Sequence, residues 1–304
     1  MQHYDAAIIG GGPAGLTAAM TLSRSVRRVA VLETRRPPRN APSRGVHGIV
    51  GLDGLSPDEY RRRAWADLAR YGMADMYETT ATDVIPDPDG GFTVLSDRRG
   101  PLWAHQVLLA AGVIDVHPEV EGFGECWGRT VIHCPFCVGW ENQGRTWGVV
   151  TSDPAFARTA VAGFSAWSPD VIVLADGTLP EPVPGTRVVE GRIRRLHHTG
   201  GRLHAVELED GTLVERQTLL WQPGQRPVPL VTRLAERLGL VVGGDGYVKT
   251  DESHRTDVPG LYAAGDLITE SQAAIGSAAA GSAAAFTMIS DACGAWAVEP
   301  AEAP

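Results

Sequence analysis

The chain has 304 residues, 43% of them hydrophobic and 21% charged, with 36 Gly, 21 Pro and a formal net charge of -9. That length favours two domains, and the glycines and prolines favour many tight turns over long bundled helices, so an α/β class is expected. The acidic balance with no basic stripe excludes a phosphate-backbone partner, and no apolar run approaches the ~18 residues of a membrane helix.

In chain order, the first signal is "DAAIIGGGPAGLTAAMTLSRSVRRVAVLE", residues 5–33, which reads as strand, Gly-rich turn, helix and strand. Gly10, Gly12 and Gly15 stand at the positions of a dinucleotide fingerprint. The first permits the tight turn, the second lets a pyrophosphate approach the backbone, and the third lets helix pack on strand. Pro13 and Ala14 open the helix whose N-terminus would face the phosphates. Glu33 ends the second strand, where a carboxylate can accept hydrogen bonds from both ribose hydroxyls. Because this strand begins at about Tyr4, no signal peptide is expected, and the reading is a cytoplasmic protein.

Next comes a Gly-rich loop, "SRGVHGIVGLDG" (residues 43–54), before a helix that Ser56, Pro57 and Glu59 cap. His47 in this loop is a candidate substrate contact, with an ordinary loop histidine as the alternative. Further on, "VIHCPFCVGWE" (residues 131–141) sets Cys134 and Cys137 two residues apart after His133, in a chain with only 4 cysteines. Structural zinc would need a second pair, and none exists, so a redox pair is the better reading. One sulfur attacks while the other resolves the mixed disulfide. A helix starting here would lower the Cys134 pKa through its dipole. His133 is the candidate base for an incoming thiol, the plainer reading being a histidine that packs or caps. Trp140 and Glu141 are expected to pack and cap, and Cys126 and Cys293 to be small buried or semi-buried residues.

Residues 146–177 keep a strand, helix and strand rhythm but place "TSDPAF" in the turn, with no G-x-G, and end the next strand in Asp176. Side chains there would hold a pyrophosphate off the backbone, and a carboxylate would repel a 2′-phosphate. Residues 256–289, "TDVPGLYAAGDLITESQAAIGSAAAGSAAAFTMI", give a short strand, Gly265-Asp266 and a helix of small residues. Such a helix allows close approach of something flat, and could equally be plain core or a subunit contact. The final "VEPAEAP" reads as a frayed tail.

Taken with "LLAAGV" (108–113), "WQPGQRPVP" (221–229) and "PGLYAAGD" (259–266), these segments resemble the FAD-containing disulfide oxidoreductases of the thioredoxin reductase type over nearly the whole chain. The resemblance implies two Rossmann-like domains, the second inserted in the first: an FAD domain at 1–115 and 246–304, and a vestigial NADPH-like domain at 116–245. It implies FAD as cofactor, with Gly112, Gly265, Asp266, Gln272 and Ala273 joining the N-terminal fingerprint in holding it. It places Cys137 against the flavin and Cys134 toward the substrate, and it implies a homodimer. With the second Gly-rich turn missing, the chain is similar to the FAD-dependent dithiol oxidases of natural-product pathways, the gliotoxin and holomycin type, in which C-P-aromatic-C follows histidine. That resemblance implies a small-molecule dithiol substrate and dioxygen as acceptor. The alternatives are a reductase fed by NADPH or ferredoxin and, from another class, a non-catalytic redox-sensing flavoprotein.

Overall fold

The computed structural model describes residues 1–296, so the expected frayed tail lies outside the described residues. The chain falls into two compact units, residues 1–39, 48–114 and 225 onward in one, and 40–47 with 115–224 in the other.

The first unit begins with β1 (Gln2–Ile9), α1 (Pro13–Arg24) and β2 (Val29–Glu33), followed by α2 (Pro57–Ala69) and β3–β6 (Ala74–Glu78, Ala81–Pro86, Phe92–Ser96 and Leu102–Leu109). Strand β1 is apolar on both faces, with Ala6, Ala7 and Ile8 essentially inaccessible, as a strand covered on both sides of a parallel sheet requires. It pairs in parallel with β2 and β6, and the order is β3-β2-β1-β6-β5-β4. Helix α2 is capped by Ser56, whose side chain accepts from the Glu59 N–H, with Pro57 in its first turn.

β7 (Val113–Val116) carries the chain into the second unit. There α3 (Phe123–Cys126), β8 (Val131–Ile132), α4 (Pro135–Val138), β9 (Thr146–Val150), α5 (Pro154–Phe164), β10 (Asp170–Ala175) and β11 (Val188–Glu190) lead to an antiparallel sheet, β12–β14 (Ile193–Thr199, Arg202–Leu208 and Leu213–Glu215). β15 (Thr218–Trp221) then completes a parallel sheet of order β11-β10-β9-β15-β8. The turn between β12 and β13 puts both Gly200 and Gly201 at positive φ, 59° and 79°, the demand of a tight two-residue hairpin.

β16 (Gly224–Pro227) leads back to the first unit, and the return comes at Gln225 instead of Gly246. The reason is α6 (Pro229–Leu238), whose Leu230, Val231 and Leu234 are buried in the same core as Val84, Phe92 and Leu109. Each such side chain contributes about 1.5–3 kcal/mol on burial, so this helix is committed to the first unit. β17 (Leu261–Ala263) then adds in parallel to the second half of β6, and α7 (Ala274–Trp296) follows. On the face turned to α1 the small residues of α7 serve close packing, since a Cβ on Gly281 would run into the Ala14 carbonyl. No helix among the described residues is long and apolar enough to cross a membrane.

Candidate active site

In the first unit the fingerprint glycines do three different jobs. Gly10 has φ +114°, and a Cβ there would strike the Ala110 carbonyl at the end of β6. A Cβ on Gly15 would strike the Gly10 carbonyl, so the turn closes only with glycine at both places. Gly12 caps α1 with no side-chain hydrogen bond, and a Cβ there would meet nothing within 4 Å. That open face, backed by the first N–H groups of α1, is the cradle a pyrophosphate fills.

Glu33 is brought to the same turn: its carboxylate accepts from the Gly11 N–H and lies 3.7 Å from the Arg61 guanidinium. Burial pushes its pKa up, against the opposing pull of Gly11 and Arg61. Gly112, at φ +65°, turns the chain after β6. Across the unit, Gly265 has φ +81°, with a Cβ position only 2.8 Å from that of Ala14. Asp266 accepts from Ser277 Oγ at 2.6 Å through Oδ1 and faces Arg39 Nη1 at 3.3 Å through Oδ2. Arg39 also donates to Gln272, whose amide pairs reciprocally with Gln225 at 2.9 and 3.0 Å. Ala273 accepts the Ser277 N–H through its carbonyl at 2.8 Å. An open glycine cradle, a carboxylate beside it and a half-buried aspartate in the turn that precedes α7 fit FAD. Sequence reasoning missed Arg39 and Arg61, because arginines in a loop and on a helix surface carry no spacing signal.

In the second unit β8 delivers His133 and Cys134, and Cys134 caps α4, so the anticipated helix begins at the pair, although it is a single turn with a correspondingly small dipole. Cys134 and Cys137 form a disulfide with Cα atoms 5.4 Å apart, inside the range that needs no backbone movement. The His133 ring lies 5.7 Å from that of Trp127, which stacks on Phe123 and has His117 at 4.7 Å. His133 is therefore set against an aromatic wall. Its main-chain carbonyl accepts from Gln222 Nε2 at 3.4 Å.

Two expectations for the residues after the pair are corrected. Trp140 is 72% exposed, so it is not packed into a core, and the Glu141 carboxylate lies 3.5 Å from His47 Nε2 instead of capping a helix. His47 belongs to the 40–47 segment of this unit, so the loop histidine sits beside the residues that follow the cysteine pair. The unforeseen anchor is Asn142. Its amide donates to the carbonyls of Val138 and Arg129 and accepts from Arg145 Nη1 and Thr218 Oγ1. This one buried side chain ties the segment carrying the cysteines to the sheet.

The turn after β9 replaces glycine with side-chain bonds of its own. Asp153 caps α5 by accepting from the Ala155 N–H at 2.8 Å, and Thr151 Oγ1 accepts from the Asp153 N–H at 3.0 Å. Asp176 accepts from the Ile193 N–H at 2.9 Å. The helix end that faces a pyrophosphate in a nucleotide-binding unit is thus occupied by a carboxylate. Of the remaining cysteines, Cys126 is fully buried, and burial pushes its thiol pKa up. Cys293 is exposed, with Arg27 Nη2 3.9 Å from its sulfur, contrary to the buried or semi-buried place expected for it. No His, Cys, Asp and Glu cluster suited to a metal ion exists among the described residues.

Residues 5–119 match the model of the FAD dependent oxidoreductase family, and residues 185–285 match that of the pyridine nucleotide-disulphide oxidoreductases. The chain is 32% identical over 279 residues to thioredoxin reductase tcpT of Claviceps purpurea, covering 86% of each. It is also 32% identical over 287 residues to thioredoxin reductase sirT of Leptosphaeria maculans, again covering 86% of each. Among solved structures, HlmI superposes with a TM-score of 0.85 at 33% identity, over 97% of this chain and 95% of that one. The putative thioredoxin reductase TrxB of Bacillus anthracis superposes at 0.88 with 26% identity, over 96% of this chain and 99% of that one.

Proposed function

This chain belongs to the thioredoxin reductase family of FAD-dependent disulfide oxidoreductases, and on that footing we propose that it is a dithiol oxidase. In this reading it closes two thiols of a small substrate to a disulfide and passes the electrons to dioxygen, giving hydrogen peroxide. The observation that carries the reading is Asp153, whose carboxylate caps α5 where a nicotinamide dinucleotide would need bare backbone N–H groups. Electrons must then enter from the thiol side. The His-Cys-Pro-Phe-Cys sequence supports a natural-product dithiol as substrate, and family resemblance supports a homodimer as the working form.

His133 takes the proton of the first substrate thiol. The thiolate attacks Cys134 Sγ, the bond between Cys134 and Cys137 breaks, and Cys137 leaves as a thiolate. The second substrate thiol gives its proton to the Cys137 thiolate and attacks the substrate sulfur of the mixed disulfide, expelling Cys134 as a thiolate. Substrate departs as a disulfide, and the cysteine pair is left reduced by two electrons. What bound FAD supplies is the two-electron relay from this dithiol to dioxygen. Gly10, Gly12, Gly15, Glu33, Gly112, Gly265, Asp266, Gln272 and Ala273 would hold it.

The relatives' names favour a second reading, disulfide reduction, and were NADPH the donor the same helix end would have to accept a phosphate against Asp153. Anaerobic spectroscopy separates the two. Dithiothreitol should bleach the flavin, and air should restore it with release of one peroxide per dithiol. His133→Ala should slow bleaching by about 10²-fold without changing reoxidation. Rapid bleaching by NADPH with no thiol present would replace the oxidase reading with the reductase one, and no bleaching by either would leave the sensor.

A further inference from the structure

We propose that Arg44, Arg129, Arg145 and Arg202 form a binding site for an oxyanion, the carboxylate or phosphate group of a ligand, at the Gly128–Thr130 corner of the unit that carries the cysteine pair. The corner gathers three otherwise distant segments. A Cβ on Gly128 would lie 3.0 Å from Pro42 Cβ and 3.2 Å from the Ser43 nitrogen, which brings in the stretch ending at Arg44. Arg129 Nη1 donates to the Gly200 carbonyl at 3.1 Å, and Gly201 lies against the Arg129 side chain, which brings in Arg202 at the start of β13. Asn142 donates to the Arg129 carbonyl at 3.3 Å and accepts from Arg145 at 2.8 Å, which brings in Arg145.

None of the four arginines has a carboxylate partner among the described residues. Elsewhere in this unit Arg194 pairs with Glu207, Arg195 with Glu121 and Arg216 with Asp170, while Arg158, Arg187 and Arg192 stand singly among the described residues, so what marks this corner is several unpaired arginines drawn together. The nearby acids do not fill the role: Glu141 pairs with His47, and Glu125 forms no ion pair. The partners that Arg129 and Arg145 do have, a carbonyl and an amide oxygen, orient the guanidinium without neutralising it. Burial, followed by the charges of Arg202 and Arg44, pulls the Arg145 pKa down. In a chain of net charge -9, Arg145 thus feels the like charges of Arg44 and Arg202, and Arg129 adds its guanidinium at the Gly200 carbonyl of the same corner. A planar donor fork is the group best matched to carboxylate or phosphate oxygens, so an oxyanion supplies the missing charge and the missing acceptors together. The proposal uses none of the residues of the dithiol chemistry and does not depend on the oxidase reading.

The test is isothermal titration of the FAD-loaded protein with inorganic pyrophosphate and, separately, citrate at low ionic strength. With the flavin site filled, saturable binding of either probe supports the site, and the tighter of the two reports whether phosphate or carboxylate is the source. Arg44→Gln, Arg145→Gln and Arg202→Gln should each weaken binding about tenfold or more, the loss of one charge-assisted bond. Arg145→Lys should recover part of the loss, and Arg158→Gln, an exposed residue of α5, should change nothing. In anion-free buffer Arg202→Gln should raise the melting midpoint, because it removes repulsion. The proposal is overturned by absent binding, by binding that survives the three substitutions, or by an equal loss in Arg158→Gln. A midpoint that falls in Arg202→Gln would likewise show that the charges are already neutralised.

Discussion

Gly12→Ala and Gly15→Ala should fail in different ways, although the two glycines sit three residues apart in one turn. At Gly12 the backbone is at φ −79° and ψ −174°, a conformation alanine adopts freely, and the new methyl would meet nothing within 4 Å. Stability of the flavin-free protein should therefore stay within about 0.5 kcal/mol of the parent or rise slightly, as the unfolded chain loses freedom. The methyl does stand on the open face of the cradle, where it would push a pyrophosphate off the N–H groups of α1. Losing one charge-assisted hydrogen bond costs about 1.5–3 kcal/mol, which is about 10- to 150-fold in FAD affinity. At Gly15 the methyl would collide with the Gly10 carbonyl, so turn and helix must part and both stability and FAD binding should fall. Urea unfolding of the flavin-free proteins and fluorescence titration with FAD measure the two quantities independently. The reasoning is refuted if Gly12→Ala destabilises the flavin-free protein as much as Gly15→Ala, or if it binds FAD like the parent.

Cys134→Ser and Cys137→Ser should each abolish dithiol oxidation with FAD still bound, whereas Cys126→Ser and Cys293→Ser should stay active in a peroxide-release assay. Asn142→Ala should cost about 2–4 kcal/mol in urea unfolding, because it strands the Val138 carbonyl and the Thr218 hydroxyl in a buried place. Glu33 has its pKa raised by burial, so the flavin-free folded state holds its proton more tightly than the unfolded chain does. The stability penalty from this carboxylate is complete above the folded pKa and is relieved as pH falls through it. Glu33→Gln should then flatten that part of the pH–stability curve of the flavin-free protein while weakening FAD binding about tenfold, and an unchanged slope would count against the assignment.

What the sequence determined by itself was whatever a few adjacent residues can impose. The turn of Gly10, Gly12 and Gly15 follows from local steric rules, Glu33 from the length of a βαβ unit, and the cysteine pair from a spacing that closes a disulfide across one helical turn. The missing second glycine turn was equally legible, because "TSDPAF" carries its own obstruction and Asp153 needs only Ala155 to cap α5. Tertiary structure decided whatever depends on packing between distant segments. Residues 225–245 read alike in either unit, and only the burial of Leu230, Val231 and Leu234 beside Val84 and Phe92 assigns them to the first. Trp140 reads as a packing residue because large aromatic rings are mostly covered, yet the fold leaves it 72% exposed. Arg39 meets Asp266, His47 meets Glu141, and Arg44 and Arg202 come within electrostatic reach of Arg145 across separations that no periodicity records. A long charged side chain is soluble anywhere on a surface, so its sequence position carries no address, and only the fold's choice of which loops share a corner gives it a partner or leaves its charge unpaired.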